Sequence, residues 1–313
     1  MSDMEEYIQK LLYYLPIDFG DTENNEYKTY LVRACCENYT NEKFQFSLMA
    51  FHMLFMAFLY KEFWTLKTYS HERVERLCRA NGQFESVENV FDSSTIPEQT
   101  FIDSYLGVFS WHANKRSEVK EFVDKRDRCA HNSGFIQYDQ EAVGKYFDDV
   151  LKNIEKIASA NAENIQSTFK SSIMRYINSP AFQTTSMGDF IQRELADKKY
   201  SYRDICAFLT LDISALPLNK KIAYLFAMIY FQEKCKQDNF QEYIDEGCDY
   251  IQQLSNLLSE LSPEEQEQVR IQVEYWCCTI KVDIENSKGQ YIEKDKQEAT
   301  KDGSESTKIQ HGI

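Results

Sequence analysis

The chain has 313 residues, with 35 Lys+Arg against 50 Asp+Glu and a formal net charge of −15. Only 10 Gly and 5 Pro occur, too few for collagen-like, low-complexity or turn-rich all-β chains, and 43% apolar residues are enough for a real core. The acidity excludes a protein that coats nucleic acid indiscriminately. The missing G-x-x-x-x-G-K-[ST] and G-x-G-x-x-G patterns exclude P-loop and Rossmann phosphate cradles.

The 3.6-residue period runs through nearly every segment, so the expected class is all-α. Residues 4–15 read as a short amphipathic helix with Tyr7, Ile8, Leu11 and Leu12 on one side, and 27–38 as a second helix. A strongly apolar helix follows over 41–69. Its stretch from Phe44 to Tyr60 is 17 residues long, at the lower limit for spanning a bilayer. It contains Gln45, Ser47 and His52 and continues into Lys61 and Glu62, so it reads as a core helix, and no membrane partner is expected. Helix continues through 70–80 to Asn81-Gly82, a good C-terminal pair. Residues 83–100 are weaker, with a polar loop around Asp92-Ser93-Ser94, and 98–110 form a short helix.

The next helix begins near Asn114 or Ser117, either of which suits an N-cap, and ends at His131-Asn132-Ser133-Gly134. Residues 140–178 form one long helix or two consecutive ones. A second helical region spans 185–285, with helices over 186–198, 201–213, 218–236, 240–260 and 263–285; Ser262-Pro263-Glu264-Glu265 is a clear start signal. The polar stretch 286–313 reads as a disordered tail. The organisation expected is therefore a helical arm (1–26), a helical domain (27–180), the second region and the tail.

Nine cysteines occur, none in C-x-x-C, and no secretory leader pattern opens the chain. Both point to thiols in a reducing cytoplasm. No zinc-ligand spacing is present, and neither a metal nor a cofactor is expected.

The stretch that carries chemistry is 115–135, K-R-S-E-V-K-E-F-V-D-K-R-D-R-C-A-H-N-S-G-F. On a helix, Val119, Phe122, Val123 and Ala130 form a stripe, and Arg126 falls in its middle while Arg128 points away. A guanidinium aimed at a core or an interface needs partners. His131 follows where the helix ends and has a purely structural alternative there, because the helix dipole favours a cation. His52 reads as a satisfied core histidine or as a polar partner of the site.

R-D-R-C-A-H-N-S-G resembles the R-x-x-x-x-H signature of HEPN domains, the α-helical bundles of many ribonucleases, over roughly residues 27–178. Asp127 matches the family's acid or amide after the Arg. Asn132 stands where the family has Gly, which arrives here only at Gly134. The resemblance implies a catalytic pair, Arg126 and His131, with Asp127 orienting one of them, at an interface between two copies of the chain. It also implies metal-independent cleavage of RNA by the 2′-OH and a role as a prokaryotic toxin or anti-phage defence effector. Substrate contacts are expected from Lys125, Arg128 and Asn132, and from Arg73 and Arg76 on an earlier helix. A non-catalytic module binding RNA, a nucleotide or a protein is the alternative.

The charge is unevenly spread. Residues 1–50 carry 4 basic and 9 acidic groups and 237–285 carry 2 and 12, whereas 51–236 carry 24 of each. The deficit lies away from the motif, and at a Debye length of about 8 Å it is largely screened there. The acidic C-terminal region could dock an antitoxin or a sensor partner.

Overall fold

The computed structural model describes residues 3–131, 138–179, 187–209, 212, 214, 216, 218–237, 240 and 250–264. Among them the chain is all-α. The helices are α1 (Asp3–Leu12), α2 (Thr22–Thr40), α3 (Phe44–Tyr69), α4 (His71–Ala80), α5 (Glu98–Val108), α6 (Ala113–Ala130), α7 (Gln140–Ile177), α8 (Met187–Lys198), α9 (Tyr202–Leu209), α10 (Leu218–Gln237) and α11 (Tyr250–Ser259). Extended pairing among the described residues is limited to an isolated bridge between Pro16 and Ser201.

Two compact units emerge. The first comprises Met1–Arg175, Gln192–Asp212 and Phe231–Glu246, and the second Tyr176–Ile191, Ile213–Tyr230 and Gly247–Ile313. In the first unit α3 is central and packs against α2, α4, α5 and α6. Every residue from Leu54 to Phe63 is buried, which takes in its whole circumference. The window of α3 that is apolar enough to cross a membrane is 72% buried inside the protein. Four of its polar residues, Ser47, His52, Lys61 and Glu62, have protein partners. Ser47 donates to the Cys35 carbonyl at 2.9 Å, and His52, Lys61 and Glu62 enter the networks described below.

Local chemistry sets several boundaries. Helix α2 starts at Thr22 because Asp21 caps it, accepting from the Asn24 N–H at 2.8 Å. Helix α4 does end at Asn81, but by a different device from the left-handed turn that Asn-Gly favours: Asn81 is extended and its side chain caps a 3₁₀ turn over Gly82–Phe84. The expected polar loop around Asp92 is a 3₁₀ helix over Val90–Thr95. It is held by a reciprocal cap between Asn89 and Asp92 and buries Val90 and Ser93. Helix α6 begins at Ala113 with His112 at its N-cap, so Asn114 and Ser117 already lie inside the helix and cap nothing. Helix α7 is one continuous helix of 38 residues.

Helix α1 contributes Met4, Ile8 and Leu11 to the same core as α3. Helix α9 is described over Tyr202–Leu209, and residues 210, 211 and 213 of the helix expected over 201–213 lie outside the described residues. In the second unit Tyr176 stacks on Phe190 with centroids 4.3 Å apart, and Ile222, Tyr224, Phe226 and Leu254 are buried. The helix expected over 263–285 shows only its first residues, Pro263 and Glu264, and the tail from 286 lies outside the described residues.

Candidate functional site

Helices α5 and α6 run antiparallel and are stitched by polar side chains in matching register. Asp103 of α5 faces Arg116 and Lys120 of α6, at 3.7 and 3.5 Å. Nearer the start of α5, Gln99 donates to the Asp124 carboxylate at 2.8 Å. At the first residue of α5, Glu98 meets Arg126. This register delivers Arg126 to the N-terminal end of α5, where the helix dipole favours a carboxylate.

Glu98 Oε2 is the hub. It accepts from Arg126 Nη2 and from His52 Nε2, the latter at 2.8 Å. The other His52 nitrogen, Nδ1, lies 2.9 Å from the Tyr146 hydroxyl of α7. Burial pushes Tyr146 well above the ordinary phenol value, so it keeps its proton and can donate to Nδ1. Both His52 nitrogens are then satisfied, Nδ1 accepting from Tyr146 and Nε2 donating to Glu98. Burial works to raise the Glu98 carboxyl. The hydrogen bond from His52 and the hydrogen bond and charge of Arg126 outweigh it and hold the group below the usual carboxylate range.

Arg126 is only 25% exposed, although Val119, Phe122 and Val123 on the same stripe are buried. The stripe therefore turns outward at its end, and Ala130, expected on it, is exposed. Arg126 Nη1 also donates to Asp127 at 3.0 Å. Its Nε–H is buried with no hydrogen-bond partner. Two carboxylates thus share one guanidinium, and part of its five-donor fork is still unassigned.

His131 is the C-cap of α6. Its N–H donates to the Asp127 carbonyl at 2.9 Å, its backbone is extended, and it is exposed. It departs from the helix where the described residues stop, since 132–137, including Asn132, lie outside them. Lys125 lies 5.9 Å from the centroids of Phe122 and Tyr146, with its ammonium over aromatic faces beside the hub. Arg128 is exposed. Arg73 packs over Phe109, 5.0 Å from the ring centroid, just past the far end of α5 from Glu98. At 1.5 Å per residue that is about 16 Å from the hub. Arg76 is exposed on the same helix as Arg73. The structure thus gathers Arg126, Asp127 and Lys125 around Glu98 and sets Arg73 and Arg76 on α4, apart from them.

Sequence reasoning missed Glu98 and Tyr146. Glu98 follows Pro97, which marks a helix start and a first-turn acid but says nothing of a partner 28 positions away. His52 was legible as a buried histidine, and the hub unites its two readings: it is satisfied in the core, and its partner holds Arg126.

A second buried polar cluster lies in the first unit. Lys61 donates to Glu62 at 2.9 Å and to Asp204 at 2.7 Å, and all three side chains are 1% exposed. Asp204 also accepts from the Ser201 N–H and hydroxyl, completing the cap of α9, and Asn161 bridges Glu62 to the Tyr105 hydroxyl. No group of three or more His, Cys, Asp or Glu among the described residues could hold a metal ion. No family model, curated protein or solved structure matches this chain.

Proposed function

We propose that the chain is an endoribonuclease of HEPN type that cleaves RNA without a metal ion, working as a homodimer with Arg126 and His131 as its catalytic pair. The observation that carries this reading is the placement of Arg126. It leaves the apolar stripe partly exposed, seated by a half-buried carboxylate, one helical turn before an exposed His131.

RNA supplies its own nucleophile, the 2′-OH beside the scissile phosphate. In this reading His131 handles the proton of that hydroxyl or of the departing 5′-oxygen. The remaining Nη N–H donors of Arg126 face the non-bridging phosphate oxygens and stabilise the charge that builds on them. Glu98 and Asp127 hold the guanidinium so that no reorganisation is needed when the phosphate arrives. The products are a 2′,3′-cyclic phosphate and a 5′-hydroxyl. A second copy of the chain supplies the other motif of a composite site. The expected setting is the cytoplasm of a prokaryote, in toxin or anti-phage defence service, with the acidic stretch 237–285 available to an antitoxin or sensor.

One observation favours the alternative, a non-catalytic module binding RNA, a nucleotide or a protein: two carboxylates already neutralise Arg126. The test uses the wild type, Arg126→Ala and His131→Ala, each incubated with mixed RNA in EDTA. Cleavage to cyclic-phosphate ends by the wild type, lost in both variants, supports the nuclease. No cleavage by a folded wild type, or equal cleavage by all three, overturns it. Sedimentation gives the oligomeric state, and a strict monomer argues against the composite site.

A further inference from the structure

Helix α9 and the last turns of α10, from Phe231 on, lie in the first unit and bring a pair of thiols together. Helix α9 and the end of α10 face each other in antiparallel register: Phe208 meets Phe231 with centroids 5.8 Å apart, and Tyr202 stacks on Phe240 at 4.0 Å. Between these two aromatic contacts, Cys206 and Cys235 are within hydrogen-bonding reach of each other. Neither is in a disulfide. Phe169 stacks on Phe208 at 4.0 Å and lies 5.2 Å from Phe231, which fixes the two helices against a common neighbour.

The two thiols are not equivalent. Cys235 is fully buried, whereas Cys206 is partly exposed. Cys206 receives hydrogen bonds from Cys235 and from Tyr13, and the charge of Arg203 acts on it from the same helix. Together these outweigh burial and bring its thiol below the ordinary value, while burial pushes Cys36, Cys78 and Cys129 up and drives Cys35 to about 12. Burial also keeps the proton on Tyr13, so its hydroxyl remains a donor.

We propose that Cys206 and Cys235 form a redox dithiol that a hydroperoxide oxidises to an intramolecular disulfide. The Cys206 thiolate attacks one peroxide oxygen. The S–O bond forms, the O–O bond breaks, and the departing oxygen takes a proton and leaves as water (or as the alcohol, for an organic peroxide). Cys206 is then a sulfenic acid, two electrons oxidised. Cys235 attacks that sulfur; the S–S bond forms and the S–O bond breaks. The hydroxyl leaves as water with the Cys235 proton. In sum, two thiols and one hydrogen peroxide give one disulfide and two waters. Access divides the roles: the oxidant reaches Cys206, and covered Cys235 resolves the intermediate. The bond ties α9 to α10 and is reversed by a dithiol reductant. This inference is independent of the role of Arg126.

The test treats the reduced full-length chain with equimolar hydrogen peroxide, blocks remaining thiols with an alkylating agent and maps all nine cysteines by peptide mass. The expected result is loss of alkylation at Cys206 and Cys235 together, a peptide linking the two, and recovery with dithiothreitol. In Cys235→Ser, Cys206 stops at the sulfenic acid and is trapped by dimedone. Retention of both thiols under peroxide that oxidises free cysteine overturns the proposal, as does cross-linking of Cys206 to any other cysteine. If Cys235→Ser does not fold, the wild-type map decides alone.

Discussion

Lys61→Met is the sharpest perturbation of the fold. Lys61 sits in the middle of the most apolar helix with its ammonium 2.7 Å from Asp204 and 2.9 Å from Glu62, and none of the three side chains is more than 1% exposed. Methionine matches the length and volume of the lysine stem, so packing changes little. What disappears is two charge-assisted hydrogen bonds, worth about 1.5–3 kcal/mol each. What remains is two buried carboxylates with no cation between them. Asp204 retains Ser201 and the Arg203 guanidinium at 4.0 Å, and Glu62 retains Asn161, which limits the damage. Removing one partner of a buried pair typically costs about 3–5 kcal/mol, and the same range is expected here. Urea unfolding followed by tryptophan fluorescence reads it, since Trp64 lies on the next turn of α3. A cycle with Asp204→Asn is expected to give a coupling of about 1.5–3 kcal/mol. A loss below about 1 kcal/mol for Lys61→Met, or additivity with Asp204→Asn, would refute the claim that this triad ties α9 to α3.

Glu98→Gln removes the carboxylate that seats Arg126. It is expected to destabilise the fold by about 1–3 kcal/mol and to lower any RNA cleavage by about 10²-fold, read as a fall in kcat. The Glu98 carboxyl is depressed in the folded chain, so its contribution is complete above the unfolded value of about 4.3 and is lost as pH falls through the folded value. Acid unfolding of the wild type and of Glu98→Gln should therefore converge at low pH and separate above it. Tyr146→Phe deletes the donor to His52 Nδ1 at a cost of about 1–2 kcal/mol, and histidine ¹⁵N chemical shifts should show the Nε2–H tautomer losing its dominance. Asn89→Ala breaks the reciprocal cap of the 3₁₀ helix and should cost about 1 kcal/mol in thermal unfolding.

The helices were legible in the sequence because their signal is local. Val143, Phe147, Val150, Ile154 and Ile157 recur at three-to-four spacing, and all five are buried on α7. Arg126 was legible as an anomaly on its stripe for the same reason. The choice between one helix and two over 140–178 was not legible, since Gly144 and the absence of Pro permit either. The cap at Asn89 was missed although its signal is present: Asn89 and Asp92 stand three apart around the apolar pair Val90-Phe91, and the reciprocal bond they form is a helix start.

By itself the sequence determined the all-α class, the burial of α3 and the position of the Arg126–His131 motif at the end of a helix. It could do so because periodicity and turn chemistry act over a few residues. The tertiary structure alone decided that Glu98 seats Arg126, that Lys61 pairs with Asp204 across 143 positions, and that Cys206 faces Cys235. Such partners are chosen by the register in which helices pack. A buried charge must find its counterion somewhere, but only the packed core fixes which one stands within 3 Å.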